Sequence, residues 1–416
     1  MGPGEHPTAP GLTIPVPASR LRVEHLITKL ELGGAQQNTL YCVAHHDRRK
    51  YRVSLAAGPG GVLDRDARGI RDAALHWFPS LRREIRPVRD LRFLLEYRAH
   101  LRRERIDILH THSSKAGILG RLAAGWAGVP VVIHTVHGWG FHDFQRAPVR
   151  ALYVALERLA VRYTDLLIAV SGENVERGIR AGIGRRGLYR VIRSGIDPRE
   201  FTRPTRARAS VRRSLGIPAR ARVVITVGNF KPQKAPLDFV RAAATVARAV
   251  PGAWFVMCGD GELKQAAREL GNELGLGDRL VMPGWRRDIP DLLHASDVFA
   301  LSSLFEGLPR SVLQAAVAGL PVVATAVSGT PEAVREGVTG RLVPARRPDA
   351  MAARLVELLR SPRRARMMGR AGRRLIGREF DIRVMLEQIE DAYDDLANRK
   401  LAGLAGTPFG SSDSRG

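Results

Sequence analysis

Short apolar runs alternate with stretches of helical spacing from residue 21 almost to the end of the chain. The runs at 22–28, 51–57, 74–78, 106–112, 131–137 and 166–171 read as buried strands. Between them, residues 35–45, 90–103, 115–127 and 148–162 place apolar side chains three and four apart, the period of helices packed on one face. The alternation stops over 193–204, where R-S-G-I-D-P-R-E-F-T-R-P reads as a linker. It then restarts, with strands at 223–227, 254–258, 280–282, 298–302, 322–325 and 341–343 and helices at 236–249, 263–274 and 289–295. Such alternation predicts parallel sheets covered on both faces, an α/β protein of two doubly wound Rossmann-like domains. The expected division is a disordered lead-in over 1–19, a first domain over 20–195, a second over 205–378, an amphipathic helix over 379–401 and a disordered tail over 402–416. Ligands of open parallel sheets bind beyond the strand C-termini, so the cleft between the domains is the expected site.

One stretch carries the strongest chemical signal. Residues 302–325 read S-S-L-F-E-G-L-P-R-S-V-L-Q-A-A-V-A-G-L-P-V-V-A-T. Pro309 suits a first helical position, where a missing N–H costs nothing. Val312, Leu313, Ala316 and Val317 form the buried face of a short helix, Gly319 stops it, and Pro321 prevents its continuation. Glu306 is stranded in the loop ahead of that helix. A helix N-terminus attracts an anion, so a carboxylate beside it needs another object to face, such as the hydroxyls of a sugar.

This stretch resembles the donor site of retaining glycosyltransferases of the GT-B fold, family four. Their motif is E-G-[FL]-[GP], then a helix carrying a second Glu, then G-x-P-V-V-[AG]-[ST]. Glu306, Gly307, Leu308, Pro309, Gly319 and Pro321 fit it, and Gln314 stands where the family has the second Glu. Gly33-Gly34 reads from its residues alone as a tight turn needing positive φ or as close backbone approach to a phosphate; the resemblance implies the second. In V-G-N-F-K-P-Q-K (227–234), the family places Arg at Asn229 and Lys at Lys234, gripping the leaving diphosphate. Lys231 reads either as a solvated loop lysine or as the charge that Asn229 lacks. Arg286, in Gly284-Trp285-Arg286, falls in the segment that lines the nucleobase, and Gln314 at the ribose contact. His137 matches a histidine beside the donor sugar and the acceptor hydroxyl. Gly259-Asp260-Gly261 reads as a turn before a helix. The resemblance implies transfer of a hexose, with retention, from a UDP- or GDP-sugar to a lipid-linked or surface-polysaccharide acceptor. It also implies a last helix crossing back onto the first domain. No cofactor beyond the nucleotide sugar is expected, and no metal.

Composition narrows the alternatives. The 416 residues include 66 Lys and Arg against 41 Asp and Glu, a formal charge of +25. That excess calls for an anionic partner: nucleic acid, phosphorylated metabolite or acidic phospholipid. Nucleic acid is disfavoured, since no interleaved aromatics and no binding module are present. Arg82, Arg83, Arg86, Arg89, Arg92, Arg98, Arg102, Arg103 and Arg105 accompany Trp77, Phe78, Phe93 and Leu94, a combination that points to contact with an anionic membrane surface. Two cysteines, with Cys258 in an apolar run, imply no disulfide framework and favour a reducing compartment. No stretch approaches the ~18 apolar residues of a membrane span. A cytoplasmic enzyme, peripheral at the inner face of the cell membrane, is the expectation. His110, His112, His134, His137 and His142 raise a metal reading, but no cysteine or carboxylate joins them in sequence, and no Asp pair is counted as a D-x-D metal motif. The rival enzyme is a sugar-nucleotide epimerase, whose paired acidic residues are not found; the rival of another class is an anionic-polymer-binding protein.

Overall fold

A computed structural model describes residues 20–401. The first sheet contains β1 (Leu21–Lys29), β2 (Tyr51–Gly58), β3 (Ala73–Trp77), β4 (Ile108–His112), β5 (Val131–Val136), β6 (Leu166–Ala169) and β7 (Tyr189–Val191), in the order β3-β2-β1-β4-β5-β6-β7. The second contains β8 (Arg222–Val227), β9 (Ala253–Cys258), β10 (Leu280–Gly284), β11 (Val298–Leu301), β12 (Val322–Thr325) and β13 (Gly340–Val343), in the order β10-β9-β8-β11-β12-β13. Every strand pair is parallel. Central strands such as V-V-I-H-T-V and V-V-A-T are buried along their whole length, because helices cover both faces. Strand order reverses direction between β1 and β4 and between β8 and β11, and each reversal opens a crevice at the strand C-termini.

The expected elements are present to within about three residues at most ends. The stretch expected as linker holds a short helix, Pro198–Thr202, capped by Asp197, whose carboxylate accepts from the Arg199 N–H. The strand β7 and the helices Gly172–Arg180 and Arg208–Ser214 were not expected. Pro309 lies just outside its helix, which runs Arg310–Val317. The expectations for 1–19 and 402–416 fall outside the described residues.

The helix Ile382–Leu401 packs on the first domain. Its buried face of Met385, Leu386, Ile389, Tyr393 and Leu396 joins one apolar cluster with Val23, Ile27, Val53 and Ile133. The chain reaches it beside the interdomain linker. Ile196 and Asp381 pair as a parallel bridge; the Ile196 N–H donates to the Phe380 carbonyl at 2.9 Å and the Ile382 N–H donates to the Ile196 carbonyl at 2.9 Å. Among the described residues no helix is long and apolar enough to cross a membrane.

Two apolar residues are placed differently from expectation. Phe93 and Leu94 lie in the core of the first domain, against Leu26, Tyr97 and Leu109, rather than at a surface. The face that the helix Pro87–Glu104 turns outward carries Val88, Leu91 and Leu95 instead, with Ile85 just ahead of it. Trp77 and Phe78 are half-buried against core clusters.

Candidate active site

The loop between β11 and the helix Arg310–Val317 sits at the C-terminal edge of the second sheet, tied to the loop after β8. The Leu304 N–H donates to the Gln233 carbonyl at 2.7 Å, Ser302 Oγ to the Lys234 carbonyl at 2.9 Å, and Gln233 Nε2 to the Phe305 carbonyl at 2.9 Å. These bonds hold Lys234 Nζ 2.5 Å from Glu306 Oε1, which also accepts from Ser303 Oγ at 2.5 Å. Glu306 is only 8% exposed, and a carboxylate so enclosed requires such partners. Its Oε2 accepts no hydrogen bond from the described residues, which leaves that oxygen for a ligand hydroxyl. The N-terminus of the following helix adds the positive end of a dipole beside the pair.

The first domain presses against this loop. A Cβ on Gly307 would stand 1.9 Å from the His137 carbonyl oxygen, so the close passage of two backbones is what demands glycine there. His137 follows β5, and its Nε2 lies 3.1 Å from Nδ1 of His112. Burial pushes its pKa down to about 3, and the charge of Arg310 acts in the same direction. The ring is therefore neutral near pH 7 and acts as donor and acceptor, not as a cation. Gly33 has extended backbone, φ −174°, so the turn is not of the positive-φ kind. Gly34 instead accommodates Arg310, whose Cδ would stand 3.1 Å from an added Cβ.

Arg310 was not anticipated. Its Nη1 donates to Gln37 Oε1 at 2.6 Å and to the Gly34 carbonyl at 3.4 Å, and its Nε to the Gly195 carbonyl at 3.0 Å. Burial lowers its pKa to about 10, so it keeps its charge near neutrality, between the Gly33-Gly34 turn and His137. The available signal was an arginine at the first position of a helix, where a cation opposes the dipole.

The other expected residues are divided. Lys231 is neither simply solvated nor free: its Nζ lies 2.7 Å from Glu31 Oε2, an ion pair across the cleft. Burial pushes the Glu31 carboxyl up, but the hydrogen bond and charge of Lys231, with Arg83 beyond, outweigh it and hold the group below its usual range. Asn229 Oδ1 is buried with no partner at the edge of the same loop. Arg286 is held bidentate by Asp288 at 2.8 and 2.6 Å. Gln314 is half-buried. The Leu308 side chain belongs to the core of the second domain, so only its backbone is available to a ligand. Gly259, at φ +148°, passes so close to Gly228 that a Cβ would meet its carbonyl oxygen at 1.8 Å. The Cys258 thiol is buried, which pushes its pKa up to about 12.

Two metal readings need correction. An Asp-x-Asp does occur, Asp64-Arg65-Asp66, but Asp64 accepts from the Gly60 N–H at 2.7 Å while Asp66 faces Arg287 at 3.2 Å. The two carboxylates serve different partners. Among the histidines, His110 and His112 meet His25 rather than His134 or His142. Their ring nitrogens are engaged: His110 lies 2.5 Å from the Tyr393 hydroxyl and 2.6 Å from Thr135 Oγ1, and His25 lies 3.0 Å from His112. A second carboxylate–histidine group, Glu24 with His76 and His100, has its carboxylate occupied by Tyr97, Ser54 and His100.

Both domains are similar to known proteins. Residues 207–375 match the family model described as Glycosyl transferases group 1, and residues 32–200 match Glycosyltransferase Family 4. A UDP-Gal:alpha-D-GlcNAc-diphosphoundecaprenol alpha-1,3-galactosyltransferase of Escherichia coli is 33% identical over 386 residues, 92% of this chain and 99% of that protein. The chain belongs to the family-four, group 1 glycosyltransferases. A glycosyltransferase EpsD of Bacillus subtilis, named as putative, is 29% identical over 71% of this chain and 78% of its own. Among solved structures, Anabaena HepE in complex with UDP and glucose superposes with a TM-score of 0.79 at 21% identity, covering 90% of this chain and all of that one. Sucrose-phosphate synthase of Thermosynechococcus elongatus gives 0.78 at 21% identity, over 91% of this chain and all of its own. Both share the two-domain GT-B architecture, and the family-four enzyme described here is a glycosyltransferase of that fold.

Proposed function

We propose that this glycosyltransferase moves a hexose from a UDP-sugar to a diphosphate-linked lipid acceptor, with retention at the anomeric carbon, while seated on an anionic membrane surface. The observation that carries the reading is the Lys234–Glu306 pair at the head of the helix Arg310–Val317, opposite Gly33-Gly34 and next to Gly307, whose backbone passes the His137 carbonyl. Lys234, Arg310 and the helix N–H groups meet charge that develops on a departing diphosphate, a preorganised form of stabilisation. Glu306 Oε2 receives sugar hydroxyls. Departure and attack proceed on one face, the diphosphate oxygen taking the acceptor's proton, a route that needs no carboxylate nucleophile. The lipid acceptor rests on the Escherichia coli relative, which is named for action on an alpha-D-GlcNAc-diphosphoundecaprenol.

The membrane reading rests on the outward face of the helix Pro87–Glu104. Val88 is 85% exposed, with Ile85, Leu91 and Leu95 more than half exposed. Arg83, Arg86, Arg89 and Arg92 are exposed around them. Apolar side chains at helical spacing within an arginine border match a helix lying in a lipid interface. Incubation with UDP-hexoses and a diphosphate-linked GlcNAc lipid, with the product anomer read by NMR, tests the proposal: an α-linked product from an α-linked donor supports it, and an inverted product or no transfer from any UDP-hexose refutes it.

A further inference from the structure

Behind His137 the first domain holds a line of imidazoles that the transfer reaction as described does not use. Nε2 of His137 lies 3.1 Å from Nδ1 of His112. Nε2 of His112 lies 3.0 Å from Nδ1 of His25. Nε2 of His25 lies 3.0 Å from Nε2 of His46. Nδ1 of His46 lies 2.9 Å from Glu390 Oε1, which also accepts from the Asp47 N–H at 2.9 Å. His25, His46 and His112 are each no more than 2% exposed. Glu390 is on the helix Ile382–Leu401, with its side chain 18% exposed at the far side of the domain.

The proton count along this line has one solution. A neutral imidazole has one N–H donor and one bare acceptor, and an ionised carboxylate only accepts. Glu390 therefore receives the Nδ1 proton of His46. The bare Nε2 of His46 must receive the Nε2 proton of His25, whose bare Nδ1 receives that of His112. The bare Nδ1 of His112 receives the Nε2 proton of His137. His137 is left with Nδ1 as an unprotonated acceptor. Burial supports the neutral state throughout, holding His25 and His112 well below the usual histidine range and His46 below it. All four joints depend on the one group in the line that cannot donate.

We propose that Glu390 is a positioning residue for His137: through His46, His25 and His112 it fixes the tautomer that presents Nδ1 of His137 to a substrate hydroxyl as a hydrogen-bond acceptor. This rests on the assignment of His137 to the reacting centre. The line is a set of hydrogen bonds that sets direction; no net proton needs to move along it. It also gives the last helix a part in the chemistry, since the carboxylate arrives from the chain segment that has already traversed the second domain.

The test begins with the wild-type full chain, labelled with ¹⁵N-histidine, in long-range ¹H–¹⁵N correlation spectra near pH 7.5. The expected spectrum has His137, His112 and His25 protonated at Nε2 and His46 at Nδ1. Protonation of His137 at Nδ1, an even mixture, or metal-shifted resonances with stoichiometric metal by elemental analysis would each overturn the proposal. Glu390→Gln keeps an oxygen toward both Asp47 N–H and His46; it should keep the tautomers and hold kcat within about threefold of wild type. Glu390→Lys offers only donors, reverses every joint, and should protonate His137 at Nδ1. Its kcat should fall on the order of a hundredfold, as for loss of a group that accepts a hydrogen bond from a substrate hydroxyl at the reacting centre, with donor KM within about threefold. A fall in kcat without a change of tautomer would make Glu390 merely structural and refute the inference. If Glu390→Lys does not fold, the wild-type spectrum still decides. The spectrum needs no substrate, so it is independent of the active-site assignment: His137→Ala with full turnover would refute that assignment while the tautomers stood.

Discussion

Lys234→Met removes an ammonium and keeps most of its stem, leaving Glu306 facing nothing but Ser303. The side chains are 21% exposed for Lys234 and 7% for Glu306. Breaking a buried pair by deleting one partner costs ~3–5 kcal/mol, because the other charge stays behind unpaired. Lys234 reaches water, so solvent screening brings the expectation to about 2–3 kcal/mol. Glu306→Gln keeps an oxygen for both Lys234 and Ser303 and should cost about 1 kcal/mol. The double variant strands no charge, and should be more stable than the sum of the singles predicts by about 1–2 kcal/mol. Urea unfolding followed by tryptophan fluorescence reads the second domain through Trp254 and Trp285. Turnover responds differently: without the ammonium the developing diphosphate charge is unmet, and kcat should fall by about 10²–10³. Wild-type stability in Lys234→Met, or strict additivity in the double variant, would refute the claim that the enclosed Glu306 carboxylate depends on the Lys234 ammonium.

Gln314→Glu restores the family's carboxylate and Asn229→Arg its cation; because they change local charge in opposite senses, the pair together should improve donor binding by more than the two singles combined, and additivity in a double-mutant cycle would remove this compensation. Turnover should survive EDTA, and a loss restored by Mg²⁺ or Mn²⁺ would contradict a site built from lysine, arginine and helix N–H groups. Binding to anionic vesicles should weaken as salt rises, since charges are screened over about 10 Å at 0.1 M, and the triple change of Val88, Leu91 and Leu95 to Ser should weaken it further; equal binding to neutral vesicles would refute the surface. His25, His110, His112, His134 and His137 all have lowered pKa values, so the unfolded chain takes up protons first as pH falls through 6.5. Stability is then lost below that pH, by about 1.4 kcal/mol per imidazole one unit lower, and an unchanged urea midpoint between pH 7.5 and 5.5 would contradict their neutrality.

The two sheets were legible because each strand is apolar along its length and each helix is apolar on one face, and these periods survive without knowledge of neighbours. β7 was missed because Y-R-V is three residues with little apolar content, a strand by virtue of its place beside β6. The Glu306 loop was legible since a carboxylate between apolar residues ahead of a proline-led helix has few bland explanations. Lys231 was not, because its partner Glu31 is 200 residues away. Phe93 and Leu94 were assigned to the surface because arginines surround them in sequence; on a helix, neighbours in sequence point in different directions, and the exposed positions are 88, 91 and 95. The imidazole line was illegible for the same reason on a larger scale. His25 and His46 carry no local signal, and Glu390 stands 344 residues from the histidine it meets.

The paired passage of the chain at Ile196 and Asp381 makes the joint between the domains a two-leaved hinge. A single connecting strand would let the domains twist, slide and bend; two strands bonded side by side suppress twisting and leave bending about one axis. A Cβ at Gly195 would lie 2.3 Å from Ile382 Cα, so the leaves touch without a spacer. Gly307 beside the His137 carbonyl and Lys231 beside Glu31 are thereby held in register from both strands of the joint. The alignment of the cleft walls then rests on a doubled joint as well as on the contacts within the cleft.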